Sequence, residues 1–243
     1  PNSGPDSFNA HASTCAFELS TGRTPLIVSC GSGSSFGDNF HLAGRCTASH
    51  STMTIEGVNS SWFSKCAQRH LSYLQDVPKI VKVQKTRAID GVRLRINHNG
   101  YQGSHGLMHV RTLDLPVDGS GLIGEDELYP PNKKDVKQFD KMREQYSGEL
   151  KYAIQFHIHP DVHTSLATGG SAVLLTFRNG DFWVLRHDGS SILSIEESVY
   201  FDDKLLRPRT TSQIVLSGKI KEFTTRVGWS LAKSVEKTQE AIQ

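Results

Sequence analysis

The chain has 243 residues, enough for one large domain or two small ones at roughly 100–200 residues each. Its 37% hydrophobic and 21% charged residues are those of an ordinary folded protein. A net charge of +2 makes no case for nucleic acid or an anionic membrane as partner, and the absence of any run of about 18 apolar residues excludes a membrane-spanning helix.

Residues 1–8 are rich in Pro, Gly and Ser and read as a linker. The first residue is Pro1, and no basic or apolar leader follows it. The chain is therefore expected to be a piece of a longer protein, cut just before its first strand. CAFELS, then TGRTP, then LIVSC read as strand, turn and strand; GSGSSFGDN reads as a loop; HSTMTIE alternates again. Residues 59–74 read as loop plus an edge strand. KIVKVQKTR and VRLRINHN are period-2 segments joined by an Asp-Gly turn. GLMHVRTLDLP, SGLIGEDELY, ELKYAIQFHIHP, SAVLLTFRNG, DFWVLRHDG, SILSIEESVYF, TSQIVLSGK and EFTTRVGWSL continue the series, each bounded by turn residues. About twelve or more short alternating strands predict an all-β protein, a large antiparallel double-sheet β-sandwich over residues 9–231. Two stretches depart from the pattern. Residues 131–148 are densely charged with helical propensity and read as a solvated insertion outside the core. The tail, residues 232–243, reads as a frayed terminal helix.

The four cysteines, Cys15, Cys30, Cys46 and Cys66, lie in the first third without a CxxC pair. They are read as buried thiols or as bridge partners. His11 and His50 stand at the entries of two strands, where they can serve as ordinary hydrogen-bonding side chains or share a zinc or other divalent ion. Cys30, at the end of the second strand, is the candidate third ligand. His157 and His159 in FHIHPDVH share a strand face by period-2 alternation. A cupin-like metal oxygenase uses such a pair, but the glutamate it also needs does not follow until Glu196, so packing on a sheet face is the preferred reading. NHNGYQGSHGLMHVR brings together His98, Tyr101, His105, His109 and Arg111. That mixture suits an anionic or sugar ligand, or a plain polar loop. No phosphate loop, nucleophile elbow, HExxH or dinucleotide fingerprint is present.

The ordered series NAHASTCAFELSTGRTPLIVSCG, CTASHSTMTIEG, NHNGY, GLMHVRTLDL, GEDEL, FHIHPDV, LSIEESVYF and QIVLSG resembles the C-terminal β-sandwich of the heparinase II/III-like family of polysaccharide lyases, from about Asn9 to Leu231. The resemblance implies a bacterial carbon–oxygen lyase acting on an acidic polysaccharide such as a glycosaminoglycan or another uronate-containing glycan. The substrate would lie between this sandwich and an N-terminal α/α toroid of the same protein, with the isolated chain inactive. It also implies β-elimination: a base removes the proton α to the carboxylate, an acid protonates the leaving oxygen, and nearby groups stabilise the enolate-like intermediate. The family's catalytic histidine falls on Asn9, which leaves the catalytic residue of this sandwich unassigned. Its metal-binding positions fall on His11, Ser29 and His50, so a structural metal would rest on the two histidines with Cys30. Asn9, His98, Tyr101, His109 and Arg111 are the expected substrate contacts. The alternative is a relative that binds glycans without cleaving them. The expected compartment is the periplasm or cell envelope, with the cytoplasm as alternative.

Overall fold

The computed structural model describes residues 7–65, 72–202, 204–205, 207–221 and 224–234. In chain order the elements are β1 (Leu19–Thr21), β2 (Thr24–Val28), α1 (Asp38–Arg45), β3 (Met53–Ile55), β4 (Trp62–Lys65), β5 (Ser72–Asp76), β6 (Val81–Ala88), β7 (Gly91–His98), α2 (Gln102–His105), β8 (Met108–Pro116), β9 (Gly121–Tyr129) and α3 (Lys133–Gln145). They are followed by β10 (Lys151–Ile158), β11 (Val162–Leu166), β12 (Ala172–Phe177), β13 (Phe182–His187), β14 (Ile192–Tyr200), β15 (Arg209–Lys219) and β16 (Thr225–Ser234).

The strands form two antiparallel sheets packed as a sandwich, as the alternation predicts. One is six-stranded, in the order β1-β2-β10-β15-β14, with β3 also paired to β10. The other is eight-stranded, in the order β11-β12-β13-β16-β9-β8-β7-β6, and β4 pairs with β5 as a separate ribbon. Alternation sorts the side chains. On β10, Tyr152, Ile154, Phe156 and Ile158 enter the core, which puts Gln155 and His157 on the opposite face. From the eight-stranded sheet come Leu113, Leu122, Leu128, Val227, Trp229 and Leu231, together with the hydrophobic residues of β12 and β13. Trp229 pairs in register with Gly124, and a Cβ at that glycine would stand 2.1 Å from the indole, so the ring lies where only glycine leaves room.

The structure corrects three expectations. Residues 131–148 lie between β9 and β10 and are mostly solvent-facing, as expected, but they are not outside the core. They fold as α3, whose Asn132 cap accepts from the Lys134 and Asp135 N–H groups, and whose Phe139, 1% exposed, belongs to the core. The apolar stripe is only Phe139 and Met142, three residues apart, too narrow to stand out among the charges. GSGSSFGDN is not all loop: its end starts α1. β16 carries the chain to Ser234, three residues into the expected tail; residues 235–243 and Cys66 lie outside the described residues. Gly106, at φ +70, ends α2 where a Cβ would meet the Asp135 carbonyl at 2.2 Å, so the two helices touch backbone to backbone.

If α3 is part of the core, Phe139→Ala should cost about 3–5 kcal/mol of unfolding free energy, while Lys141→Ala on its exposed face should cost under about 0.5 kcal/mol. Urea unfolding of the two variants measures this, and equal, negligible losses would return α3 to the role of an insertion.

Candidate functional site

Two clusters of chemistry-bearing residues emerge, one inside the sandwich and one at its rim. The interior cluster contains four of the expected substrate contacts. His98, Tyr101, His109 and Arg111 are each 1% exposed or less, so they do not meet a ligand at the surface. They sit on inward positions of β7, β8 and the turn between them, and their partners are other protein groups. This corrects the expectation from the sequence, which could not tell an inward polar residue from an outward one.

The centre of this cluster is Asp126, 0% exposed, on an inward position of β9. Its Oδ1 accepts from His109 Nε2 at 2.7 Å and Arg111 Nε at 2.8 Å; its Oδ2 accepts from Arg111 Nη2 at 2.9 Å and Trp229 Nε1 at 2.9 Å. Burial alone would raise the Asp126 pKa, but Arg111 and His109 override it and hold the carboxylate well below the usual range. Arg111 Nη1 crosses to the other layer, donating to the Cys15 carbonyl at 2.9 Å and the Ser51 carbonyl at 2.7 Å. Its guanidinium also lies over Phe17 at 5.5 Å, and Phe17 stacks on Trp229.

The ring protons of the histidines follow from one fact. The Gly100 backbone N–H can only donate, and it donates to His98 Nδ1 at 3.1 Å. The His98 proton therefore sits on Nε2 and is given to His109 Nδ1 at 3.0 Å, which leaves the His109 proton on Nε2, facing Asp126. Cys15, His98 and His109 bring their ligand atoms within 4.8 Å of one another. They do not fit a metal, because every ring nitrogen is engaged and burial pushes the Cys15 thiol up to about 12. Tyr101, fully buried, donates its hydroxyl proton to the Met53 carbonyl at 2.9 Å.

At the rim, His11 Nδ1 meets His50 Nε2 at 3.1 Å, with the rings edge to face. Burial lowers both pKa values, His50 to about 3, with Arg45 and His41 adding to the effect on His11. Asn9, two residues before His11, is exposed. Cys30 does not complete this pair: its Sγ turns to His157 Nδ1 at 3.5 Å and Ser198 Oγ at 3.9 Å. The Ser29 N–H donates to Glu18 Oε1 at 3.2 Å. Among the described residues no third histidine, cysteine or carboxylate joins His11 and His50. Two imidazoles do not fit a structural zinc site, which needs about four protein ligands.

His157 and His159 do not converge either. His157 Nε2 donates to the Ala48 carbonyl at 2.8 Å and its Nδ1 takes the Ser198 hydroxyl at 2.9 Å; burial pulls its pKa down to about 4. His159 packs edge to face on Tyr200 near Asp161. This is the packed-histidine arrangement rather than a cupin centre.

The sequence missed Arg45 and Asp126. Arg45, 1% exposed, donates to the carbonyls of Ala10 at 2.8 Å, Ser7 at 2.8 Å and Ser72 at 2.7 Å, and so holds the segment that presents Asn9. It lies between the loop GSGSSFGDN and the strand HSTMTIE, in residues 40–49 to which the sequence assigned no element. Asp126 lies in GLIGEDELY, read as a strand, whose pattern did not mark its carboxylate as facing inward.

The model of the heparinase II/III-like C-terminal family matches residues 1–230. FtsZ-localized protein C of Caulobacter vibrioides (strain NA1000 / CB15N) is 33% identical over 236 residues, 96% of this chain and 39% of its own length. The chain thus spans about two fifths of that relative. Among solved structures, the heparan sulfate lyase HepC from Pedobacter heparinus superposes with a TM-score of 0.67 at 14% identity, over 96% of this chain and 32% of its own. A heparinase III, the BT4657 gene product, gives 0.68 at 14% identity over the same shares. At this identity the two structures establish the fold.

The buried histidines set a pH dependence. His50, His98, His109 and His157 are neutral in the folded chain, and each pKa is depressed from 6.5 chiefly by burial. Below pH 6.5 the unfolded chain takes up protons that the folded chain refuses, so stability is full above that value and falls as pH drops towards 4. Each group contributes up to about 1.4 kcal/mol per pH unit. The urea midpoint should decline between about pH 7 and pH 5, less steeply in His157→Gln. A flat midpoint across that interval would contradict the assignment of neutral imidazoles.

Proposed function

Because the chain belongs to the heparinase II/III-like family as its C-terminal domain, we propose that it is the sandwich of a protein that binds an acidic polysaccharide and contributes no proton-transfer group of its own to β-elimination. The ligand would lie between this domain and a helical toroid of the same polypeptide. The observation that carries the reading is the rim. Asn9 is exposed where the family resemblance places the catalytic histidine, and the neighbouring His11 is tied to His50 instead of to a carboxylate. An amide does not shuttle protons near neutral pH. It can still donate a hydrogen bond to a uronate carboxylate, which is a binding role. His11 and His50 are neutral and hydrogen-bonded to each other, which supports a role in shaping the rim.

The full-length protein should retain uronate polymers such as heparan sulfate on an affinity support without producing the ultraviolet absorbance of unsaturated uronates. Cleavage by the full-length protein that disappears in Asn9→Ala would overturn this and restore the lyase reading.

A second reading rests on the 33% identical relative, whose name places it with FtsZ. In this reading the parent protein is recruited to FtsZ assemblies, and the sandwich serves localisation. A fluorescent fusion of the full-length protein should then follow FtsZ in dividing cells; a distribution unaffected by FtsZ depletion would dismiss it.

A further inference from the structure

α3, α2 and the β4–β5 ribbon surround an open cavity of about 850 Å³. One wall is α3, which turns Lys134, Lys137 and Lys141 towards it. Their spacing of three and four residues makes one stripe, with Phe139 on the core side of the helix. Over seven residues the stripe spans about 10 Å, the length of a disaccharide. Lys79 lines the cavity as well. Among the described residues none of these four lysines forms an ion pair.

The carboxylate best placed to neutralise them is withdrawn. Asp135 is 6% exposed, and its Oδ2 accepts from Gln102 Nε2 at 2.8 Å and from Asn132 Nδ2. Asp76 is the other acidic group at the cavity, so four cations face two carboxylates. The cavity also has an aromatic surface. Trp62 is 52% exposed, whereas Trp183 and Trp229 are each 3% exposed. Lysine ammonium groups attract anions as point charges, and an exposed indole offers a flat face of the kind on which a sugar ring stacks. Asn99 Oδ1 accepts from the Ile80 N–H at 2.9 Å, and its amide nitrogen has no partner among the described residues.

We propose that this lysine-lined cavity is a binding site for an anionic oligosaccharide, one bearing sulfate or carboxylate groups, with Trp62 as stacking platform and Lys134, Lys137 and Lys141 as the charge-reading edge. Asn9, His11 and His50 are not among its lining residues. It rests on the reading of the parent protein as a binder of acidic glycans and adds where on this domain such a chain is held. A nucleic acid is a poorer fit, since three of the four lysines lie on one short helix and the chain's net charge is only +2.

The test uses the full-length protein with size-defined oligosaccharides, one series sulfated and one carboxylated but unsulfated, read by calorimetry and by tryptophan fluorescence. The double variant Lys137→Glu, Lys141→Glu should bind at least roughly tenfold more weakly, with unchanged circular dichroism. Trp62→Ala should abolish the fluorescence change that binding causes in the parent protein. The arm that binds more tightly identifies sulfate or carboxylate as the recognised group. If oligosaccharides bind but neither variant changes affinity or fluorescence, the site is elsewhere, although the parent protein remains a glycan binder. If no oligosaccharide binds, the cavity assignment and the glycan reading fall together. Lysine-dependent binding to vesicles of anionic phospholipid, without oligosaccharide binding, would make this a membrane-facing patch and overturn the proposal.

Discussion

The ion pair between Arg111 and Asp126 organises the interior of this domain. A charge buried between two sheets is tolerable only when every one of its polar atoms is met. Here Asp126 accepts four hydrogen bonds, from Arg111, His109 and Trp229. Arg111 spends its remaining reach on the Cys15 and Ser51 carbonyls. Those two carbonyls belong to the segments that lead into the six-stranded sheet, one four residues after His11 and the other immediately after His50. A pair rooted in the eight-stranded sheet thus sets where the rim histidines stand. The aromatic stack of Phe17 on Trp229, with Phe156 edge-on to Trp229, closes the space around it.

The same logic holds at the edge of the molecule. Arg45 gathers three carbonyls from Ser7, Ala10 and Ser72, so the stretch bearing Asn9 is held by charge-assisted hydrogen bonds instead of by a strand ladder. His50 and His157 are buried, and neutral because burial costs a charged imidazole more than its hydrogen bonds return. The buried histidines His50, His98, His109 and His157 therefore act as neutral hydrogen-bonding links. That is a structural use of the residue.

α3 joins the two levels. Its inner side places Phe139 in the core and Asp135 against α2; its outer side carries the lysine stripe. A helix that was only a solvated insertion would have no reason to sort its residues in this way. Because the inner side is fastened through Gly106 and Phe139, the outer lysines are held at fixed spacing along one wall of the cavity.

The amino-acid sequence by itself determined the all-β architecture, the hairpin at Ile89-Asp90-Gly91 and the order of family landmarks. Period-2 alternation and turn chemistry are local properties that survive without knowledge of the partner strands. The nearness of His11 to His50 was also legible, because both stand at strand entries. What the sequence left open was which polar residues face inward. His98, His109 and Arg111 read as a ligand-binding loop because a one-dimensional pattern does not distinguish a polar side chain facing another sheet from one facing water. Register across β7, β8, β9 and β16 decided that, by bringing inward positions of β7, β8 and β16 around Asp126 on β9. The turning of Cys30 to His157, the gathering of carbonyls by Arg45 and the two-sided character of α3 were likewise decided only by tertiary structure, since each depends on residues far apart in the chain meeting where burial makes an unpaired polar group costly.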